Sequence, residues 1–210
     1  MKWRLIDKSK TAQPKGKYTD WKAMLAVEGG HMCIYCTICD AHYGGMRNFH
    51  VEHYRPKSLF EDLEHQYSNL FYACGICNTF KGDDWPSDPT SDTFDYVHYP
   101  DPSQTDYSKL FVVDPNTALV SGTNIAAKYM VEKLNLNRAQ ILRNRKLLLL
   151  GGRLAKARDE LREASQSLEN AMELRAVIEL LTQISQLFEG FWLAVPYEGH
   201  ETRRQVVAPA

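Results

Sequence analysis

No stretch of the 210-residue sequence approaches the ~20 consecutive apolar residues that a membrane-spanning helix needs; even the apolar segment 176–195 carries Glu179 and Glu189. The N-terminus reaches Lys2, Arg4, Asp7 and Lys8 before an apolar signal-peptide core can form, so a cytoplasmic protein without a membrane partner is expected. Net charge is nearly absent: 25 Lys+Arg face 26 Asp+Glu, for a formal −1. With 44% hydrophobic residues this excludes whole-chain disorder and suits one large domain or two small ones. Cysteine is scarce and odd in number, five residues in two tight clusters, which in a reducing compartment points to metal before disulfides. Lys and Arg are missing from 83–106, where seven Asp and four Pro predict a solvated loop or linker. Proline is missing from 116–195, where the pattern turns helical.

Four segments follow. Residues 1–30 read as a basic arm and a short helix capped by Thr19 or Asp20 and stopped at Gly29-Gly30; residues 31–82 hold every cysteine and read as a ligand-held module. After the acidic loop 83–106, residues 107–210 begin with a short hairpin, Leu110–Val113 turning at Asp114-Pro115-Asn116 to Leu119-Val120. An apolar seam then runs through Leu147, Leu150, Leu154, Ala157, Leu161, Ala164, Leu168 and Ala171, shifts phase near Leu174, and continues through Ile178, Leu181, Phe188 and Phe191. It predicts two long helices, broken either at Gly151-Gly152 or between Ser165 and Asn170. The fold class is α+β.

The near-neutral total hides an uneven distribution. Residues 1–60 hold ten basic and five acidic residues, and residues 128–158 hold nine basic against the single acid Glu132. A helix face with that excess, with Arg138, Arg143, Arg145 and Lys146 on it, is expected to attract a phosphate backbone. A docking surface for an acidic partner is the competing account.

Cys33-Ile-Tyr-Cys36 and Cys74-Gly-Ile-Cys77 are two C-x-x-C knuckles, and two such knuckles make a tetrahedral four-sulfur site suited to structural Zn2+. Cys39 follows Cys36 at the same spacing, so it is either a spare thiol or a replacement for Cys33. Between the knuckles lie Phe49-His50-Val51-Glu52-His53-Tyr54-Arg55-Pro56-Lys57 and then Asn69-Leu70; after the second come Asn78 and Lys81-Gly82. This order resembles the zinc-containing HNH nucleases: C-x-x-C, Asp/Glu-His-x-x-Pro, Asn-Leu, then C-x-x-C-His/Asn-x-x-Lys. The resemblance covers about Cys33–Gly82. It implies a zinc-stapled ββα-metal module in front of the mostly helical C-terminal region. Two positions depart from the commoner pattern, Glu52 where Asp is usual and Asn78 where the last His of the family name stands; both keep an oxygen ligand.

Phosphodiester hydrolysis needs an activated water and charge neutralisation at the phosphate. His53, whose ordinary pKa suits proton abstraction near neutrality, is the candidate general base. Asn69 is assigned to hold its ring by accepting from the far nitrogen. Glu52 and the amide oxygen of Asn78 are assigned to a catalytic Mg2+ or Mn2+. Arg55, Lys57 and Lys81, which flank this site, are candidate phosphate contacts, and His50 reads as a surface or structural residue. DNA is the expected substrate, with RNA as a variant. The strings 51–57, 69–74 and 128–138 are similar to the HNH subunits of Septu-type and retron-associated anti-phage systems, which implies an ATPase subunit as partner. The rival is a catalytically silent zinc module that docks nucleic acid or that ATPase.

Overall fold

The computed structural model describes residues 3–8, 14–89, 93–165 and 171–192, without the side chains of 164–165, 171–174 and 187–192. Two compact units divide the chain, Met1–Arg143 and Asn144–Ala210. In the first, strand β1 (Phe49–His53) pairs antiparallel with β2 (Leu70–Cys74), with Phe49 opposite Cys74 and His53 opposite Leu70. Every residue of β2 is buried, so β1 is the strand that carries polar side chains to a surface. The chain leaves β2 directly into helix α2 (Gly75–Lys81), where the Cys74 sulfur accepts from the Cys77 N–H and caps the first turn. Gly82 ends α2 with φ +51°, a left-handed conformation that glycine adopts without a Cβ clash. The ββα order that the resemblance implies is therefore present.

The 16-residue connection from Tyr54 to Asn69 has little regular structure, and Asn69 pins it. Its Oδ1 accepts from the Arg55 N–H at 2.8 Å, and its Nδ2 donates to the carbonyls of Arg55 and Leu63 at 3.0 and 3.4 Å. These bonds satisfy both backbone groups of half-buried Arg55 and bring a further donor to the carbonyl of half-buried Leu63. Asn69→Ala is accordingly expected to destabilise the protein by about 1–3 kcal/mol, read as a lower denaturant midpoint.

Two of the four expected segments behave differently from expectation. Residues 3–8 do not stand off as an arm: Trp3 and Ile6 are buried, the Trp3 indole donates to the Tyr35 carbonyl at 2.7 Å, and its ring meets Phe111 at 5.0 Å. Nor is the acidic stretch a free linker. Tyr99 and Tyr107 are wholly buried, Tyr54 donates to the Tyr99 carbonyl and Tyr107 to that of Pro100, both at 2.7 Å, and Asp84 accepts from Tyr99 at 2.7 Å. The aspartates set charge along a strand of chain whose tyrosines enter the core; net charge alone cannot reveal that.

The predicted hairpin forms as β3 (Phe111–Val113) and β4 (Val120–Gly122), its turn held by the Asp114 carboxylate accepting from the N–H groups of Asn116 and Thr117. Asn124 caps α3 (Ile125–Lys133) through the Ala127 N–H. Helix α4 (Ala139–Ser165) runs through Gly151-Gly152 without a break; α5 is Ala171–Trp192, and the alternative break, between Ser165 and Asn170, lies outside the described residues. Leu147, Leu154, Ala157 and Leu161 are half-buried and Leu150 is exposed; Ala164, Leu168, Ala171, Leu174, Phe188 and Phe191 lie outside the described side chains.

Candidate active site and metal centre

The metal centre follows from the two knuckles. The first bends around Thr37, whose φ is +58°, and the Ile34 N–H bonds to the Tyr72 carbonyl at 2.9 Å, which ties it to β2. The Sγ atoms of Cys33, Cys36, Cys74 and Cys77 converge within 4.8 Å of one another, all buried. Cys36 and Cys74 sulfurs are 3.8 Å apart, the edge of a tetrahedron with Zn–S bonds of about 2.3 Å. That separation excludes a disulfide. Burial pushes the Cys33 and Cys77 thiols up, bonds from the other cysteines hold Cys74 down, and the four-sulfur donor set fits zinc. Cys39 stays outside the cluster, its sulfur 4.0 Å from the Asp40 carboxylate, which resolves the choice in favour of Cys33 as ligand.

Beside this staple, β1 faces a cleft of about 460 Å3 whose lining includes Tyr18, Lys22, His50, Glu52, His53 and Asn78. His53 is half-buried at the end of β1, and its Nε2 lies 3.1 Å from the Glu64 carbonyl. A carbonyl only accepts, so Nε2 carries the proton and Nδ1 keeps the lone pair. Burial holds the His53 pKa below the ordinary imidazole value, opposed by the Glu64 bond and assisted by Lys57, so the ring is neutral at pH 7. The Tyr18 ring packs edge-on against the imidazole at 4.8 Å. The ring is thus held, but by a different group from the one expected. Asn69 spends both ends of its amide on the loop backbone, and Glu64 supplies the acceptor.

Glu52 is buried. Its Oε1 accepts from Tyr35 OH and from Lys81 Nζ, each at 3.0 Å, and Lys81 also donates to the His53 carbonyl at 3.0 Å. Burial raises the Glu52 pKa, opposed by the Lys81 charge and by the bonds from Lys81 and Tyr35. Both donors address Oε1 while Glu52 also lines the cleft. Lys81 is therefore no phosphate contact; it is the partner of Glu52 and a brace on the end of β1. Removing one member of a buried pair leaves the other uncompensated, so Lys81→Met is expected to cost about 3–5 kcal/mol, read by urea unfolding of the zinc-loaded protein.

Asn78, on α2, places Nδ2 3.3 Å from Nδ1 of His50. An amide nitrogen only donates, which leaves the Asn78 Oδ1 available to a cation. Glu52 and Asn78 thus stand on one cleft as oxygen donors of the kind a divalent ion takes, with His50 beside them accepting the Asn78 amide at Nδ1. His50 was readable from β1 alternation, since it shares a strand face with Glu52. Tyr18 and Lys22 reach the same cleft from far upstream, and no local sequence signal announces them.

The other expected phosphate contacts divide. Arg55 pairs with Asp88 at 2.9 Å and stacks near Phe60 and Trp85; Lys57 pairs with Glu64 at 2.9 Å. Arg145 is wholly buried, and Arg138 directs Nη2 at the cysteine cluster, 3.6, 3.6 and 3.4 Å from the sulfurs of Cys36, Cys74 and Cys77. Only Arg143 and Lys146 of that set are exposed. The nine basic residues do not share one face: they are divided between α3, the turn that ends at Arg138, and α4, and within each helix 3.6-residue periodicity points them in different directions.

The comparison with family models decides what the arrangement is called. Residues 33–84 match the HNH endonuclease model. No curated protein and no solved structure matches the chain. The HNH match starts on the first knuckle cysteine and ends just past α2, so it takes in both knuckles, β1, β2, the Asn69 loop and Asn78. It covers about a quarter of the 210 residues. The HNH domain suggests action on nucleic acid; among the described residues no helix is long and apolar enough to cross a membrane.

Proposed function

We propose that this protein is a metal-dependent HNH endonuclease that hydrolyses phosphodiester bonds of DNA. The observation that carries the proposal is His53 on the cleft with Nε2 committed to the Glu64 carbonyl and Nδ1 left as a base, on the same cleft as Glu52 and Asn78. Nδ1 takes the proton of the attacking water, and the Glu64 bond offsets part of the charge that forms on the ring. Glu52 and Asn78 would hold Mg2+ or Mn2+, which supplies charge neutralisation at the phosphate and at the departing oxygen. Lys22 lines the cleft and contributes a cation for the phosphate backbone; Arg143 in the same unit and, by itself, Lys146 in the second unit are exposed cations suited to further phosphate contact.

One observation favours the rival, a zinc module that docks nucleic acid or a partner without cutting: Lys81 already sits on Glu52 Oε1, so the carboxylate is satisfied without a divalent ion. Incubating the zinc-loaded protein with plasmid, linear duplex, single-stranded DNA and RNA separates the two. Cleavage that requires added Mg2+ or Mn2+ is expected, with DNA as the preferred substrate. No cleavage of any of them with either metal selects the silent module.

The likeness to Septu-type and retron-associated subunits supports a place in anti-phage defence in the cytoplasm, beside an ATPase. Val177, Leu180 and Ile184 expose an apolar stripe at helical spacing on α5 that suits such a partner.

A further inference from the structure

We infer that Arg138 is part of the metal centre: its guanidinium caps the four-sulfur cluster and governs how long zinc is retained. A zinc ion with four thiolates carries a net charge of −2 in a buried setting, where uncompensated charge is costly. Arg138 supplies one positive charge and donates through Nη2 toward three of the four sulfurs, at 3.4–3.6 Å. These are charge-assisted bonds from a donor with a planar, fixed fork.

The rest of the side chain is committed to the same aim. Nη1 donates to the carbonyls of Leu134 and Asn135 at 3.2 and 3.3 Å, and the guanidinium stands 5.9 Å from the Phe80 ring on α2. Nε is buried without a hydrogen-bond partner, which is tolerable only if the remaining contacts repay it. The backbone aims the residue. Asn135 turns the chain at φ +45°, Leu136 is wholly buried, and Asn137 exchanges two 2.8 Å bonds with the backbone of Val120. Arg138 arrives over the sulfurs from a point 61 to 102 residues away in sequence, immediately before α4. Zinc retention therefore depends on the α3–α4 junction as well as on the knuckles. This inference is independent of the nuclease activity proposed above.

The test measures zinc transfer from the full-length, zinc-loaded protein to a chromogenic chelator in excess. Partners of ligand sets typically alter metal affinity about 10–100-fold when lost, so Arg138→Met, which keeps an apolar stem beside Phe80, is expected to release zinc at least about tenfold faster. Release at the wild-type rate from folded Arg138→Met overturns the inference. Unchanged release together with a DNA-binding salt slope reduced by about one would assign Arg138 to a phosphate instead, and overturns it too. Should Arg138→Met fail to fold, Arg138→Lys decides, since it keeps charge and stem but loses the fork: faster release upholds the cap, and the wild-type rate overturns it.

Discussion

Stripping the zinc is expected to unfold the first unit, not merely to silence it. Cys36, Cys74 and Cys77 are among the most deeply buried residues of the protein, and their neighbours Tyr35, Ala73 and Tyr72 belong to the same core. Structural zinc contributes about 10–16 kcal/mol in small zinc modules, comparable to or larger than the whole stability of an ordinary domain, about 5–15 kcal/mol. The two-stranded sheet β1–β2 and the seven-residue α2 lack the size to stand alone, and the first knuckle is tied to β2 by the Ile34–Tyr72 bond. A Cys74→Ala variant removes a ligand and the α2 cap together. Both the chelated protein and this variant should lose the cooperative thermal transition of residues 3–143, followed by circular dichroism. Cys39→Ser should leave the transition and the zinc content unchanged, because Cys39 is outside the cluster. An unchanged transition after complete zinc removal would show that the core, not the metal, holds the unit.

His53→Ala is expected to reduce the cleavage rate about 10²–10⁴-fold, the range a positioned general base supplies. The fold should tolerate it, because the ring is only half-buried and bonds one loop carbonyl. The pH dependence has a definite sign. The base acts unprotonated, so the rate rises through the His53 pKa and levels off above it. Burial places that pKa below the ordinary imidazole value, so the acid limb should lie below about pH 6.5, and activity at neutral pH should be on the plateau. A limb well above that pH would point to another group.

The site was legible where chemistry and spacing are local. The knuckles, the Glu52-His53 pair, and Asn78 one residue beyond the second knuckle are local features of a short span, and the structure sets them around one ββα unit. The hairpin at Asp114–Asn116 was equally local. What sequence could not give is long-range hydrogen bonding. Asn69 was assigned to the His53 ring by analogy, yet its amide closes a loop and a backbone carbonyl at Glu64 takes the imidazole; carbonyls leave no trace in residue identity. Arg138 counted as one more cation on a basic stretch, and its sulfur partners lie at least 61 residues away. Lys81 followed the second knuckle as a phosphate contact would, while its charge serves a carboxylate across the unit. In each case the side chain's chemistry, an amide at Asn69 and a charge at Arg138 and Lys81, was read correctly and its partner was not, because the partner is set by packing.

Conversion of supercoiled plasmid to nicked or linear form, by wild type and His53→Ala side by side, tests the central claim most directly. Both proteins are zinc-loaded, matched for thermal transition and assayed at pH 7.5 with Mg2+. The account predicts conversion by wild type, its loss without Mg2+, and a rate lower by at least about two orders of magnitude for His53→Ala. Equal rates for the two proteins, or conversion that ignores the metal, would contradict it.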